Sequence, residues 1–307
     1  MKKNYTVCVV VVTFNGMRNN WIHNCIASLA KSTYAVKTIV VDNNSADNTS
    51  AYVRQTFPEV EVIQQNTNLG FGQANNIGIR YAISLKADYI MLLNQDATIS
   101  EDCIELLLSV SDGQSVLSPL HCNGEGNKLD RMFCYTLSNA GNIFFDDMFI
   151  EGTLKEKYTV GEVPAACWFL PVDTVNKIGG FNPLFHHYGE DNNYFHRLRF
   201  HHIKMVLVPK ARMCHHRQVF GDIGVFNKNK LRRDLLLVAS NINNGLGTRL
   251  LLYTKLLYRC YAEDLKKRTY KPGRYFLSLC WMLTQYHNIA KSRRTERCTQ
   301  GCWLNIP

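Results

Sequence analysis

The sequence contains no apolar run long enough to cross a bilayer. Its longest late apolar stretch covers residues 275–286, and these 12 residues fall short of the roughly 20 that a transmembrane helix needs. Residues 7–12 follow two lysines as in a signal peptide, but Asn15 and Gly16 interrupt the pattern and no small-residue cleavage site follows. We therefore expect a soluble protein that can still lie on a membrane surface.

The common nucleotide-binding fingerprints are also missing. No Gly-x-Gly-x-x-Gly follows the first strand pattern, and there is no Walker P-loop, internal repeat or low-complexity segment. The 11 cysteines are odd in number and scattered, several of them within apolar runs. This pattern favours reduced, buried thiols over a disulfide framework, and Cys298 and Cys302 lack the second pair that a zinc knuckle needs.

Acidic residues are scarce near the end of the sequence. Residues 228–307 hold 16 Lys and Arg against 4 Asp and Glu, which leaves the rest of the chain with a net charge of −2. Helical patterns over 231–258 and 275–286 have apolar and basic faces, as in helices that bind anionic membrane surfaces. The alternative is a helical pair packed on the rest of the protein with its basic face in solvent. Nucleic acid is not expected as a partner, because no aromatic-interleaved binding module is visible.

The first 110 residues alternate between strand and helix patterns. Strands are predicted at residues 7–12, 36–41, 60–63 and 89–93, with amphipathic helices between them. Repeated βα units indicate an α/β fold with a doubly wound, mainly parallel sheet and a C-terminal amphipathic helical extension. We predict a domain over 1–227, with a nucleotide-binding half at 1–110 and an acceptor half at 111–227, followed by a basic helical tail at 228–307.

Loops rich in Asn, Gly, Ser and Thr follow the first three strands. In a doubly wound sheet such loops converge on one edge and supply polar groups to a ligand. Gly70 and Gly72 would let the backbone approach a phosphate, and Asp42 could accept hydrogen bonds from a base or ribose. Alternatively, these are good turn residues and Asp42 caps the next helix. The candidate nucleotide-sugar-binding residues are Thr13, Phe14, Asn15, Asp42, Asn44, Asn68, Gly70, Phe71, Asn75, Asn94 and Gln95.

The fourth strand pattern ends on Asn94, Gln95 and Asp96. Because a buried sheet does not tolerate a lone charge, Asp96 is expected at the exposed carboxyl end of the strand or against a positive group. A helix is predicted to start near Ser100, so Asp96 could instead cap that helix.

Six segments in this order resemble glycosyltransferase family 2, which has the GT-A fold, and especially the rhamnosyltransferase-like enzymes of bacterial surface polysaccharide synthesis. The matching segments are VVVTFNG at 10–16, VVDNNSADNT at 40–49, NLGFGQANNIGI at 68–79, LLNQDA at 92–97, GGFNPLFHHYGEDNNYFHRLR at 179–199 and HH at 215–216. The resemblance covers about the first 220 residues.

The resemblance implies a divalent metal, Mg²⁺ or Mn²⁺, on the diphosphate of a nucleotide sugar. Asp96 would bind it at the position of the family's acidic strand-end motif, where Asn94 replaces the usual first Asp. His215 lies where the family has a histidine near the metal, and imidazole suits Mn²⁺. His216 is adjacent to it, and a lone histidine is more often a surface or core residue.

The resemblance also implies that Asp191 is the general base of an inverting transfer, with Glu190 orienting it or contacting the acceptor. The same pair could simply favour a helix start through the helix dipole. Tyr188 and Trp168 are candidate acceptor-site residues, although an aromatic side chain such as Trp168 in an apolar run is more often core.

The function expected from this resemblance is transfer of a sugar, with rhamnose as a candidate, from a nucleoside diphosphate sugar to a polyprenyl-diphosphate-linked saccharide in O-antigen or capsule synthesis. The enzyme would be peripheral on the inner face of the cell membrane. Alternatives are a nucleotidyltransferase that makes nucleotide sugars and a saccharide-binding scaffold without activity. The first usually has a Gly-rich, basic loop after its first strand, whereas residues 13–20 hold one Gly and one Arg.

Overall fold

A computed structural model describes residues 4–139, 144–217, 230–298 and 301–304. Its strands are β1 (Val7–Thr13), β2 (Lys37–Asp42), β3 (Glu61–Gln64), β4 (Tyr89–Asn94), β5 (Ala97–Ile99), β6 (Val116–Asn123), β7 (Tyr158–Val160), β8 (Cys167–Pro171) and β9 (Met205–His215). Its helices are α1 (Trp21–Ala30), α2 (Thr49–Thr56), α3 (Phe71–Ser84), α4 (Cys103–Val110), α5 (Arg131–Asn139), α6 (Phe144–Asp146), α7 (Val172–Ile178), α8 (Glu190–Phe200), α9 (Lys230–Ser240), α10 (Leu246–Lys266), α11 (Pro272–Thr284) and α12 (Tyr286–Glu296). A 3-10 turn precedes α1 at Arg18–Asn20, and a π-helical segment, Asp147–Glu151, follows α6.

All the strands belong to one sheet in the order β3-β2-β1-β4-β8-β6-β9-β5, with β7 paired to β9. The first four strands are parallel, and β8 enters antiparallel to β4. This confirms the predicted α/β fold with a doubly wound sheet. The apolar run of β1 is buried on both faces, where alternate valines join separate cores above and below the sheet.

The segment after β4 differs from its prediction. The helix predicted to start near Ser100 is α4, which starts three residues later at Cys103, and Ala97–Ile99 before it forms the short strand β5. The pairing of β5 with the end of β9 places Ala97 opposite His215. Asp96 therefore leads into a strand, so the prediction that it caps a helix is wrong.

The C-terminal helical pattern is also divided differently. The continuous helix predicted over 231–258 is interrupted between α9 and α10 by three asparagines and Gly245, which are turn-forming residues. The boundary predicted between residues 227 and 228 lies outside the described residues. None of the described helices combines the length and the apolar character that crossing a bilayer requires.

The last helix packs into the part of the chain that precedes the tail. Glu296 is buried and accepts hydrogen bonds from Asn182 (2.6 Å) and Asn193 (2.9 Å). The backbone N–H of Gly180 donates to the carbonyl of Cys302 at 2.9 Å, and Leu304 joins one of the two main cores. The division into a domain and a tail stays a prediction, but these contacts mean that deleting the tail would expose buried groups of the acceptor half.

Candidate active site

The loops after β1 and β2 are connected to each other by hydrogen bonds. The side chain of Asn15 accepts a bond from the backbone N–H of Ala46 (2.8 Å), and the backbone N–H of Asn15 donates to Ser45 (2.9 Å). Asn15 and Asn44 have φ angles of 51° and 66°, a left-handed conformation that asparagine tolerates better than most residues. Turn geometry therefore explains these two asparagines, and their predicted contact with the donor stays a prediction.

The loop after β3 joins the same cluster through Asn68. Its side-chain oxygen accepts hydrogen bonds from Asn43 (3.0 Å) and from the backbone N–H of Gly70 (2.9 Å). Gly70 has a φ of 79°, and a Cβ there would lie only 1.9 Å from the carbonyl oxygen of His186. The space beside Gly70 is thus occupied by the segment that precedes α8, and this close approach explains why a glycine is needed.

Asp42 is buried at the end of β2. Its carboxylate accepts hydrogen bonds from the backbone and side chain of Ser45 and from the hydroxyl of Ser50 in α2. A contact between Asp42 and a base or ribose stays a prediction, and it would have to compete with these internal bonds.

Gln95 holds the end of β1 against the end of β4. Its side-chain oxygen accepts hydrogen bonds from the hydroxyl of Thr13 (2.6 Å) and the backbone N–H of Phe14 (3.0 Å). Its amide also donates to the carbonyl of Phe14 at 3.1 Å. Gln95 therefore fixes the loop after β1 next to Asp96.

Asp96 and His215 form the centre of a polar cluster. The imidazole Nε2 of His215 lies 3.2 Å from Oδ1 of Asp96, and the pairing of β5 with β9 brings them together across more than 100 residues. Burial favours the neutral form of Asp96, but the hydrogen bond and charge of His215 outweigh it and hold the pKa of Asp96 below its usual value. Asp96 is therefore ionised at neutral pH.

The other imidazole nitrogen of His215 faces Arg217 and Asp130. Arg217 donates to Nδ1 at 2.8 Å, and Oδ2 of Asp130 lies 3.8 Å from Nδ1 and 3.2 Å from Nε of Arg217. Oδ2 of Asp130 is too far from Nδ1 for a hydrogen bond, so Arg217 is the partner that holds this side of the ring.

This cluster fits a divalent cation. The side-chain oxygen of Asn94 is buried without a hydrogen-bond partner, and the amide nitrogen of Asn94 is 3.5 Å from Nε2 of His215. A carboxylate, an amide oxygen and an imidazole form a donor set suited to Mn²⁺, and the carboxylate with phosphate oxygens suits Mg²⁺. The described residues contain no group of three or more His, Cys, Asp or Glu placed to hold a metal, so the remaining ligands would come from substrate and water.

The predicted catalytic pair lies at the start of α8. Gly189 precedes the helix with a φ of 97°, and Glu190 and Asp191 occupy its first turn. Burial and the neighbouring Asp191 raise the pKa of Glu190 to about 7, and burial also raises the pKa of Asp191. The backbone N–H of Asn192 donates to Oδ1 of Asp191 at 2.8 Å. A carboxylate with a raised pKa is a stronger base, as proton abstraction from a hydroxyl requires.

A single cavity of about 840 Å³ connects the two groups of residues. Asn94, Asp96 and His215 line it, and so do Tyr188, Glu190 and Asp191. Phe71 is the one further predicted residue at its wall. The cavity has the size of small-molecule sites in enzymes.

Trp168 and Asn75 are among the predicted site residues that do not line the cavity. Trp168 is buried in the core between Phe181 and Tyr194, and its indole N–H donates to the carbonyl of Val163, so it does not line the cavity as predicted. Asn75 is also buried, and its amide donates to the carbonyl of Phe71 within α3. In both cases contacts within the protein hold the side chain that was expected to contact a ligand.

Other cavity residues were not predicted from the sequence. Glu162 adds a fourth carboxylate to the cavity. Burial and the charge of Asp191 raise its pKa, and it accepts a hydrogen bond from Asn192 at 3.2 Å. Arg217 and Arg233 add positive charge, and Arg233 comes from α9 in the predicted tail. Arg217 lies two residues after His215, so its closeness in sequence to a predicted site residue could have identified it. No motif in the sequence around Glu162 or Arg233 indicates that either residue belongs to the site.

The raised pKa of Glu190 predicts a pH-dependent effect on stability. Because the carboxyl titrates at about 7 when folded and 4.5 in its ordinary state, the ionised form opposes folding as the pH rises through this window. Glu190→Gln should therefore raise the free energy of unfolding at pH 8 relative to pH 4, by up to about 3 kcal/mol at 1.36 kcal/mol per pKa unit. Denaturant titrations at both pH values measure this difference, with exposed Glu59→Gln as the matched control. An equal effect of Glu190→Gln at both pH values would contradict the raised pKa of Glu190.

A protein-family model described as Glycosyl transferase family 2 matches residues 8–178, more than half of the chain. A curated relative, the "Low-salt glycan biosynthesis hexosyltransferase Agl10" of Haloferax volcanii, is 24% identical over 268 residues, which cover 77% of this chain and 85% of the relative.

Solved structures share the fold. GalNAc-T7, crystallised with UDP, GalNAc and Mn²⁺, has a TM-score of 0.65 and 16% identity over 99% of this chain. This chain spans only 56% of the length of GalNAc-T7. S. aureus TarS 1-349 in complex with UDP has a TM-score of 0.55 and 16% identity, over 95% of this chain and 80% of TarS 1-349. Identities this low show the likeness of fold alone.

Proposed function

The chain belongs to glycosyl transferase family 2, and from that premise we propose a metal-dependent, inverting transfer of a sugar from a nucleoside diphosphate donor. The observation that carries the proposal is the shared cavity, which Asp96, His215 and Asp191 all line. A metal-bound leaving group and a base on opposite sides of a sugar are what an inverting displacement requires.

The chain's own residues can be given roles in this reaction. Asp96, His215 and the amide oxygen of Asn94 would hold a divalent cation, Mg²⁺ or Mn²⁺. When bound, the cation neutralises the charge that develops on the departing diphosphate. Arg217 is in hydrogen-bond contact with His215 and adds positive charge to the same side of the cavity.

On the acceptor side, Asp191 would take the proton of the attacking hydroxyl. The acceptor oxygen forms a bond to the anomeric carbon as the bond from that carbon to the diphosphate oxygen breaks, and the proton ends on Asp191. Burial raises the pKa of Asp191 and so keeps it basic, and the charge of Asp191 in turn raises the pKa of the neighbouring Glu190. Tyr188 is 57% exposed at the cavity wall, where its ring can pack on a saccharide.

The finer identity of the substrates is also part of the proposal. The donor would be a nucleoside diphosphate hexose, in line with the UDP bound by GalNAc-T7 and TarS and with the hexosyltransferase name of the Haloferax relative. The motif resemblance supports rhamnose as a candidate sugar and a polyprenyl-diphosphate-linked saccharide of O-antigen or capsule synthesis as the acceptor. The exposed apolar and basic tail helices support a peripheral position on an anionic membrane surface.

A donor screen tests this function. Nucleotide sugars, including a rhamnose donor, would be incubated with the chain, Mn²⁺ and lipid-linked saccharides extracted from bacterial membranes. We expect sugar from one donor to enter the lipid fraction, with inverted anomeric configuration by NMR and with loss of transfer after chelation. Retained configuration, or equal transfer with and without a chelator, would contradict the mechanism.

A further inference from the structure

A second cavity, of about 920 Å³, lies among the C-terminal helices and is separate from the active site. Its walls come from α9, α10, α11 and α12, and most of them are apolar. The apolar lining residues include Phe276, Leu279, Leu283, Tyr286 and Ile289. Nothing in the proposed transfer reaction uses this cavity.

The polarity of the cavity changes along its length. On α12 the lining residues run from Tyr286 and Ile289 to Arg293, Arg294 and Arg297. At 1.5 Å of rise per residue, the apolar start and the basic end of this row are separated by about 16 Å. Arg249 of α10 joins the basic end. An apolar ligand without charge, or a bare anion, would match only one end of this cavity.

The arginines at the basic end form no ion pairs with the acids of the described residues. Within the described ranges, no carboxylate lies within ion-pair distance of Arg249, Arg294 or Arg297, and Nε of Arg249 is buried without a hydrogen-bond partner. Arg293 donates to the backbone carbonyls of Ala239 and Asn244. Burial, followed by the charges of Arg249 and Arg297, lowers the pKa of Arg293 and outweighs the opposite effect of Glu296, so the cations repel one another. An anion placed among them would relieve this repulsion.

The rim of the apolar end is exposed to an unusual degree. Phe276, Leu283 and Tyr286 are 67%, 77% and 76% exposed, and Leu279 beside them is 44% exposed. Monomeric proteins rarely leave large apolar side chains grouped in this way unless the surface contacts a partner or a membrane. An apolar rim next to a basic pocket matches the boundary between the acyl chains and the headgroups of a bilayer.

We propose that this cavity binds one phosphate-headed membrane lipid, with its hydrocarbon chain between α11 and α12 and its headgroup at Arg249 and Arg297. The proposal builds on the membrane association proposed above and gives it a defined site. The charge of the arginines selects an anionic headgroup, and the apolar rim selects a lipid within a bilayer over a free phosphate. The bound lipid would hold the chain at the membrane surface.

Vesicle flotation of the full chain tests the proposal. The variant Arg249→Gln/Arg297→Gln removes two charges from the cavity, and Lys266→Gln/Lys267→Gln removes two exposed charges that do not line it. We expect the cavity variant to bind phosphatidylglycerol vesicles about 30-fold more weakly than the parent, because both removed charges would contact the headgroup directly. The control variant should bind much more like the parent. Leu283→Ser, at an exposed apolar position, should also weaken binding.

If something other than a lipid occupied this cavity, the same experiments would give a different result. Equal weakening by both double variants would show unspecific electrostatic attraction and overturn the proposed site, while leaving peripheral membrane association intact. Competition by inorganic phosphate as strong as that by phosphatidylglycerol would indicate a free-anion site and also overturn it. A dimer by size-exclusion chromatography that Leu283→Ser dissociates would indicate that a second copy covers the rim. Donor binding at the active site should be unchanged in all variants, so failure of this proposal is distinguishable from failure of the proposed transfer.

Discussion

Asp191→Asn is expected to lower the rate of sugar transfer about 100- to 10,000-fold while leaving donor binding unchanged. General base catalysis contributes a factor of this size, and an amide cannot accept the proton of the acceptor hydroxyl. The substitution keeps the shape of the side chain and can still accept the hydrogen bond from the backbone N–H of Asn192. Initial rates with the donor and acceptor found by the screen, together with donor titration, measure both quantities.

Asp173→Asn is a matched control for this prediction. Asp173 also lies in the first turn of a helix, α7, but it is exposed and does not line the cavity. If Asp191 acted only through the helix dipole, the two variants would lose similar stability and neither would lose much activity. Parent-like transfer by Asp191→Asn would remove Asp191 from the role of base.

Asp96→Ala is expected to abolish the metal dependence of donor binding. Second-shell partners of metal ligands alone typically affect metal affinity 10- to 100-fold, so loss of a ligand carboxylate should cost at least about 100-fold. The effect should also extend to the nucleotide, because the cation would join the diphosphate to the protein. Calorimetric titration of a nucleoside diphosphate with Mn²⁺ and with a chelator measures both.

Asp102→Ala provides the control for this titration. Asp102 is an exposed acid six residues further along the chain, and it lies outside the cavity. The Asp102→Ala variant should bind metal and nucleotide as the parent does. If Asp96→Ala kept the parent's gain in nucleotide affinity on addition of Mn²⁺, Asp96 would not be a metal ligand.

The sheet and the position of its polar edge could be predicted from local patterns. The all-apolar run of β1 and the β-branched run of β2 could only be buried strands, and the polar residues after them had to lie at the carboxyl edge. Asn94 and Asp96 were found in this way, because a carboxylate at the end of a buried strand must either reach solvent or contact a positive group.

Contacts between distant segments could not be predicted in the same way. The strand β5 has only three residues, and it forms because β9 offers it a partner. Arg233 reaches the cavity because α9 packs near α8, which no pattern near Arg233 reveals. Trp168 looked like a candidate for a saccharide site, but Phe181 and Tyr194 enclose it in the core.

The central claim is that a cation at Asp96 and a base at Asp191 face one sugar across a shared cavity. Its most direct test is the anomalous diffraction signal of Mn²⁺ in a crystal of the full chain grown with a nucleoside diphosphate. The claim predicts a manganese peak bound to Asp96 and His215, with the diphosphate on the metal and its free end directed toward Asp191. A manganese peak and a nucleotide bound away from this cavity would contradict it.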